Sequence, residues 1–396
     1  MPDVCFYFQV HQPWRLHPYG VFDIGKSHDY FDDRANQAIL EKVATRCYRP
    51  MNALLEELVA KHDGRFKASF SISGSALDQL ERWAPDVIAS YQRLAATGCV
   101  ELLGETHHHS LAGVAHAGEF AAQVALHAAR IEKLFGRRPQ VFRNTELMFS
   151  DALAAPIAAL GFRGVLAEGA ERVLGWRSPN FVYASRPEPA LGLLLKNYRL
   201  SDDIAFRFGD RGWSEHPLSV EKFAGWIHAV NGCGTVVNLF MDYETFGEHQ
   251  WVETGIFEFM RKLPDAILDH ADGGFVTPSE ALARHPAAGT AEFRDWVSWA
   301  DSERDLTAWL GNRMQRAALE QLMALREPVR ATGDPALLET WRRLSTSDHL
   351  YYMCTKYFAD GDVHKYFSPW DSPYEAHIAF MNVLADLGQR VGAAVR

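Results

Sequence analysis

The chain has 396 residues, of which 47% are hydrophobic and 23% are charged, and its formal net charge is −10 at pH 7. These values are typical of a globular protein and exclude a mainly disordered, collagen-like or coiled-coil chain. The acidic balance disfavours nucleic-acid binding, which requires a basic surface.

The cysteine pattern and the beginning of the chain indicate a cytoplasmic protein. The five cysteines are scattered and form no CxxC pair, which disfavours a disulfide framework or a cysteine zinc site. The first residues, Met1-Pro2-Asp3-Val4-Cys5, lack the basic and apolar regions of a signal peptide. No window approaches the ~20 apolar residues of a membrane span. We therefore expect no membrane partner.

Short apolar runs that alternate with helical patterns predict a parallel α/β sheet closed as a barrel. The seven predicted strands are residues 4–10, 66–72, 100–104, 141–143, 164–167, 193–198 and 235–241. Nearly every run ends in polar residues, such as His11 and Asp242. Because active sites of such barrels lie at the carboxyl ends of the strands, these residues predict one polar rim.

Towards the C-terminus, helical patterns continue and clear strand-like runs end. We predict a catalytic barrel over residues 1–285 and a helical domain over residues 286–396 that contributes to the cleft. Asp334-Pro335 is typical of a helix start. Tyr374, Ile378, Met381 and Ala385 form a stripe at helical spacing on the last predicted helix. The aromatic-rich residues 351–373 are expected to pack over a surface.

One acidic tract directly follows an apolar strand. Asp242, Glu244 and Glu248 are followed by His249. A carboxyl group at the mouth of a strand can be buried by its neighbours, which raises its pKa and suits it to donate a proton. Helix capping or pairing with an arginine is the structural alternative, and the residues alone do not say which acid reacts.

A second acidic residue follows another predicted strand. Glu146 lies near Arg143, and a neighbouring cation keeps a carboxylate ionised, as a nucleophile requires. A plain ion pair is the structural alternative. Together Glu146 and Asp242 supply the two carboxyl groups that glycoside hydrolysis needs. A separation of about 5–5.5 Å gives retention and one of about 6.5–9.5 Å gives inversion.

Two further tracts suit a sugar site. Glu105 precedes the histidines 107–109. Since neighbouring side chains of a strand alternate between faces, at most two of the three could bind one metal, with His11 or His249 as a further ligand. Hydrogen bonding to sugar hydroxyls is the preferred interpretation, and bonding to backbone groups is the structural alternative. The second tract contains Trp299, Asp301 and Trp309, and aromatic rings beside a carboxylate suit a sugar-binding subsite. Packing of the tryptophans between the domains is the structural alternative.

Five tracts in chain order make the sequence resemble glycoside hydrolase family 57. They are His11-Gln12-Pro13, residues 104–109, residues 143–146, residues 242–247 and residues 299–312. The similarity continues through residues 347–353 and 362–367, so it covers essentially the whole chain. In the second tract, His107 and His108 stand where the family usually has aromatic residues. The roles of the family's residues are therefore assigned in this tract only to Glu105 and His109.

The resemblance implies a (β/α)7 barrel with a helical C-terminal region and a retaining mechanism on α-glucans, without a metal or a cofactor. It implies that Glu146 is the nucleophile and Asp242 the acid/base. The predicted substrate-binding residues are His11, Gln12, Glu105, His109, Arg143, His249, Trp251, Trp299, Asp301 and Trp309.

Within this family the compact chain resembles the α-amylase-like members, so we expect hydrolysis of α-1,4-glucans such as starch, glycogen or maltodextrins. A 4-α-glucanotransferase with the same residues is the alternative. More distant alternatives are a metal-dependent deacetylase or α-mannosidase on a related barrel and a non-catalytic glucan-binding homologue. The presence of both Glu146 and Asp242 disfavours the last of these.

Overall fold

The structure is a computed structural model that describes residues 1–270, 272–356 and 368–394. Its strands are β1 (Asp3–Val10), β2 (Ala68–Ile72), β3 (Val100–Leu102), β4 (Val141–Arg143), β5 (Gly164–Glu168), β6 (Tyr183–Ser185), β7 (Gly192–Lys196), β8 (Val236–Asp242), β9 (Gly274–Phe275) and β10 (Thr290–Ala291). Each of the seven predicted runs contains a strand. Strands β6, β9 and β10 were not predicted, because at two or three residues they are too short to show a period.

The helices of the barrel region alternate with these strands. They are α1 (Asp33–Val43), α2 (Arg49–Lys61), α3 (Gly74–Trp83), α4 (Pro85–Ala96), α5 (Ala112–Ala115), α6 (Ala117–Phe135), α7 (Asp151–Ala159), α8 (Glu171–Leu174), α9 (Tyr198–Asp202), α10 (Val220–His228), α11 (Ile256–Leu268) and α12 (Pro278–Arg284). The later helices are α13 (Thr307–Leu310), α14 (Arg313–Ala324), α15 (Arg326–Ala331), α16 (Pro335–Leu344), α17 (Ser347–Tyr351) and α18 (Pro373–Ala394).

Several single turns complete the secondary structure. Four are 3-10 turns, at Val21–Asp23, Thr145–Leu147, Tyr243–Thr245 and Val252–Thr254. Two are π-helical turns, at Ala44–Tyr48 and Asp203–Arg207. Two of the 3-10 turns and one of the π-helical turns carry residues that line the cleft described below.

Within the described part of the chain, seven parallel strands close into a barrel in the order β8-β1-β2-β3-β4-β5-β7. Parallel ladders join all neighbours except two pairs. A bridge between Gly104 and Phe142 joins β3 to β4. Between β7 and β8, the Asn238 side chain donates to the carbonyl of Leu195 at 2.9 Å, and the Asn197 backbone N–H donates to Asn238. The predicted barrel is thereby confirmed.

Both faces of the barrel strands are buried. In β1, Phe6 and Phe8 pack outward against the helices, whereas Tyr7 points inward with Phe240 and Leu194. A strand that is apolar on both faces reads as a continuous hydrophobic run, which is why β1 and β8 were recognisable in the sequence.

One predicted strand end is wrong, whereas the helix predicted from the C-terminal stripe is present as α18. The run 193–198 ends as a strand at Lys196, because the Asn197 side chain accepts from the backbone N–H of Leu200 and so starts α9. On α18 the stripe that contains Tyr374 and Ile378 faces outward, with exposures of 60% and 57%. The adjacent face, which carries Ala376, Ala379, Phe380, Val383 and Leu387, is buried instead. Small residues on that face let the helix approach its neighbours closely.

The C-terminal helices share a separate apolar core. Trp341, Leu322 and Phe380 lie in it, and Asp334 caps α16 by accepting from Ala336, as predicted. β10 still pairs with β6 after residue 285, so the division at 285/286 stays a prediction. The packing expected for residues 351–373, and the family-like tract 362–367, fall partly or wholly outside the described residues.

In the described ranges we find no helix that is both long enough and apolar enough to cross a bilayer.

Candidate active site

A cleft with two adjoining lobes opens at the carboxyl ends of the barrel strands. The first lobe, of about 140 Å³, is lined by Gln9, His11, Gln12, Pro13, Arg15, His109, Glu146, Asp242, Glu244, His249, Trp309, Ser347, Asp348, Tyr351 and Tyr352. The second, of about 90 Å³, is lined by Glu146, Lys196, Ala205, Phe206, Phe240, Met241, Asp242, Thr245, His249, Trp299, Ala300, Trp309 and Tyr351. Glu146 and Asp242 therefore lie where the lobes meet.

Glu146 occupies a strained turn directly after β4. Its φ is 56°, in the left-handed region that residues with a side chain rarely adopt. The Thr145 hydroxyl holds the turn by donating to the Ser110 carbonyl at 2.8 Å, and the Asn144 amide donates to Met148. Strain of this kind persists only where the surroundings impose it, as they do around functional side chains.

Both oxygens of Glu146 are hydrogen-bonded. Oε1 lies 3.0 Å from Nε2 of His109, and Oε2 accepts from the indole N–H of Trp299 at 2.6 Å. Burial would raise the pKa of Glu146, but these two bonds and the charges of His109 and Arg143 lower it below its ordinary value. The arrangement favours an ionised carboxylate.

His109 connects Glu146 to a second carboxylate. Its Nδ1 lies 2.9 Å from Oε2 of the fully buried Glu105. Burial would lower the pKa of His109, but hydrogen bonds to Glu105 and Glu146 outweigh it and raise the pKa to about 9. His109 is therefore a cation at neutral pH and carries a proton on each ring nitrogen.

Asp242 is the last residue of β8 and lies opposite Gln9 of β1. Burial and the nearby negative charge of Glu146 raise its pKa to about 6. Asp242 and Glu146 thus have pKa values shifted in opposite directions, which is the pattern of an acid and a nucleophile that share one site.

The C-terminal helical region completes the first lobe. Asp348 of α17 lies 2.9 Å from Nε2 of His11, whose Nδ1 lies 2.7 Å from the hydroxyl of Ser73. Burial and the cation of His109 lower the pKa of His11, whose ring stacks on His109 with centroids 4.0 Å apart. Asp348 was not among the predicted site residues, although its tract matched the family, because only the fold brings α17 to β1.

Glu244, one of the three candidate acids of the tract 242–249, was not among the predicted substrate-binding or catalytic residues but lies in the site. It lines the first lobe and accepts a hydrogen bond from the Tyr48 hydroxyl. Burial and the charge of Asp242 raise the pKa of Glu244 to about 8. The acidic tract after β8 therefore places two carboxyl groups, Asp242 and Glu244, in the first lobe.

Arg143 and Trp299 support Glu146. The buried guanidinium of Arg143 lies 4.6 Å from the centroid of the Trp299 ring, and the ammonium of Lys196 lies 5.5 Å from it. Trp299 thus contacts two cations and donates to the carboxylate of Glu146. The interpretation of Trp299 as a sugar-stacking ring stays a prediction.

The remaining predicted residues divide into two groups. Gln12, His249 and Trp309 line the cleft. Trp251 is 58% exposed and lines neither lobe. Asp301 is buried outside both lobes and pairs with Lys356 at 3.3 Å.

The other two histidines of the His107–His109 tract lie away from the cleft. β3 ends at Leu102, so the tract forms a turn and the alternation of a strand does not apply. The His107 ring packs against Gly74, where a Cβ would lie 2.3 Å from the ring. The buried His108 lies 3.6 Å from Glu339.

Among the residues that the structure describes, no group of three or more His, Cys, Asp and Glu side chains is arranged to hold a metal ion. His11 and His109 have carboxylate partners, Asp348 and Glu105, on their ring nitrogens.

Comparison with known proteins identifies the family of the chain. The model of glycosyl hydrolase family 57 matches residues 5–294. A Methanocaldococcus jannaschii protein named "Putative alpha-amylase" is 40% identical over 97% of this chain and 83% of its own length. These two matches define a glycoside hydrolase, and the chain belongs to glycosyl hydrolase family 57.

Solved structures share the fold at low sequence identity. The 4-alpha-glucanotransferase of Thermococcus litoralis matches with a TM-score of 0.70 and 16% identity over 88% of this chain. The match spans 56% of that chain, so this protein corresponds to little more than half of it. An alpha-amylase of Thermotoga maritima matches with a TM-score of 0.67 and 12% identity, covering 100% of this chain and 94% of its own.

Proposed function

We propose that this protein is a retaining glycosidase that hydrolyses α-1,4-glucans, with Glu146 as the nucleophile and Asp242 as the acid/base. The observation that carries the proposal is the placement of Glu146 and Asp242 in one cleft at the carboxyl ends of the barrel strands, where both lobes meet. The directions of their pKa shifts, downward for Glu146 and upward for Asp242, agree with these roles. The relative named as an alpha-amylase supports the choice of substrate.

In the first step, the Glu146 carboxylate attacks the anomeric carbon and forms a glycosyl ester. The bond between that carbon and the leaving oxygen breaks, and the proton of Asp242 passes to this oxygen. His109, with a proton on Nε2, stays beside Oε1 of Glu146 at 3.0 Å and keeps the attacking group oriented.

In the second step, a water molecule attacks the anomeric carbon and gives its proton to Asp242, while the ester bond to Glu146 breaks. Because the ester removes the negative charge of Glu146, one of the two causes that raise the pKa of Asp242 disappears. Asp242 then stays ionised and acts as the base, so one residue serves both steps.

Transfer to a second sugar is the competing outcome of the same ester. The observation that favours it is the second lobe, where Phe206, Met241 and Trp309 offer apolar surface beside Glu146. Exclusion of water from such a surface prolongs the life of the ester and lets a sugar hydroxyl react instead. A 4-α-glucanotransferase is therefore the second candidate.

Product analysis of maltoheptaose distinguishes the two. Hydrolysis yields only shorter chains and raises the number of reducing ends, whereas transfer yields longer and shorter chains at a constant number. Proton NMR of the first product tests retention, which requires the α-anomer. If maltoheptaose is unchanged and the protein instead acts on acetylated sugars or mannosides in a way that a chelator abolishes, the metal-dependent alternative is supported. If the protein binds maltoheptaose without turning it over, the non-catalytic alternative is supported.

A further inference from the structure

Phe206 is an exposed aromatic residue of the second lobe that takes no part in the bond-making steps proposed above. It is 55% exposed, lies in the π-helical turn Asp203–Arg207, and lines the second lobe. A single exposed apolar side chain is ordinary on a protein surface. Phe206 differs because it borders a cleft that also contains Glu146 and Asp242.

The turn that carries Phe206 is anchored on both sides. The Gln250 side chain donates to the carbonyl of Ala205 at 3.0 Å, and the guanidinium of Arg207 donates to Asp203 at 2.6 Å and to the carbonyl of Arg199 at 2.9 Å. π-helical turns are rare and are frequent at functional sites. The ring is thus presented to the cleft by a fixed backbone.

The two lobes differ in polarity. The residues that only the first lobe has are mostly polar, and they include His11, Gln12, Arg15, His109, Glu244 and Asp348, whereas the second adds Lys196 and mostly apolar side chains. The donor ring must be held in a fixed orientation for attack by Glu146, and polar side chains that hydrogen-bond its hydroxyls provide that orientation. The donor ring therefore belongs in the first lobe, and the leaving or incoming sugar belongs in the second.

We propose that the second lobe is an acceptor site for a pyranose ring of the glucan, and that Phe206 stacks on this ring and sets the ratio of transfer to hydrolysis. The inference rests on the proposed function. In transfer, an acceptor hydroxyl oxygen bonds to the anomeric carbon, the ester bond to Glu146 breaks, and the hydroxyl proton passes to Asp242. Water follows the same route when the lobe is empty.

The test compares two substrates in Phe206→Ala. Maltoheptaose occupies both lobes, whereas α-maltosyl fluoride places only fluoride on the acceptor side. We expect kcat/KM for maltoheptaose, relative to that for the fluoride, to fall about tenfold, as expected for the loss of one stacked ring. The share of ester captured by sugar should fall too, and Phe206→Trp should restore both readouts.

Phe22→Ala is the matched control, because Phe22 is 82% exposed and lines neither lobe. An unchanged substrate ratio and product distribution in Phe206→Ala would overturn the inference, as would an equal loss on both substrates. If the wild-type protein cleaves neither substrate, the proposed function itself fails, which is a different result.

Discussion

Trp299 holds Glu146 through two hydrogen bonds. Its indole N–H donates to Oε2 of Glu146 at 2.6 Å, and its backbone N–H donates to the Glu146 carbonyl at 3.1 Å. The two residues are 153 positions apart in the chain. A residue at the start of the helical region thereby fixes both the backbone and the carboxylate of the proposed nucleophile.

Removal of the indole donor should weaken the nucleophile. Trp299→Phe leaves a ring against Arg143 but loses a hydrogen bond to a charged group, worth roughly 1.5–3 kcal/mol. We expect kcat to fall about 10- to 100-fold, and the acidic limb of the pH profile to move to higher pH, because a weaker donor raises the pKa of Glu146. Trp226→Phe, at a half-buried site away from the cleft, is the control. An unmoved acidic limb would contradict this role.

Loss of either proposed catalytic carboxyl group should stop turnover while glucan binding persists. We expect Glu146→Gln and Asp242→Asn each to lower kcat by about 10³-fold or more, as measured by reducing-end release. Glu253→Gln and Asp269→Asn change exposed residues in the same way and should be neutral.

Azide should partly rescue one variant and not the other. It attacks the glycosyl ester without a base, so it should restore turnover of α-maltosyl fluoride in Asp242→Asn and give the α-azide. In Glu146→Gln no ester forms, so that product should not appear. A loss of only a few-fold in either variant would refute the assignment.

The activity should have an acidic optimum. The free enzyme needs Glu146 ionised and Asp242 protonated, so kcat/KM should rise at low pH as Glu146 loses its proton. It should fall as the pH passes about 6, where Asp242 loses its own. The two apparent pKa values read from this profile describe Glu146 and Asp242 as a coupled pair. With α-maltosyl fluoride, whose leaving group needs no proton, the alkaline limb of the first step should disappear; its persistence would argue against Asp242 as the acid.

Glu105 should act through His109 as a positioning residue. In Glu105→Gln, the imidazole loses one of the two carboxylates that raise its pKa to about 9, so its titration midpoint should move to lower pH. Nitrogen-15 NMR of the labelled imidazole measures this shift directly. We expect kcat to fall more than KM changes, and an unmoved midpoint would exclude the role.

The same pair predicts a stability change with pH. The pKa of His109 is raised above that of an unfolded histidine. Its contribution to the free energy of unfolding is therefore complete below about pH 6.5. It is lost as the pH rises through about 9. The melting temperature of the wild type should therefore approach that of Glu105→Gln between these values. A constant difference across the range would contradict the assignment.

Two predicted aromatic residues should behave differently. Trp251 is 58% exposed outside both lobes, so Trp251→Ala should change kcat/KM for maltoheptaose less than twofold. Trp309 is buried and borders both lobes, so Trp309→Phe should raise KM several-fold. Melting temperatures separate this effect from lost packing, and equal effects of the two variants would contradict the placement.

Much of the framework was determined by the sequence alone. Strands buried on both faces read as continuous apolar runs, and the polar residues that follow them must meet at one edge of a parallel barrel. For this reason the barrel, and the convergence of Glu146 and Asp242 from distant segments, could be predicted. The hypothesis of two-carboxylate chemistry followed from these residue types.

The tertiary structure decided which group contacts which. His109 bridges Glu105 and Glu146, Trp299 donates to Glu146, and Asp348 reaches His11 from α17. Left-handed turns at His109 and Glu146 aim these side chains, and no periodicity reveals such turns. Burial then sets the pKa values, because the cost of charge depends on neighbours from the whole fold.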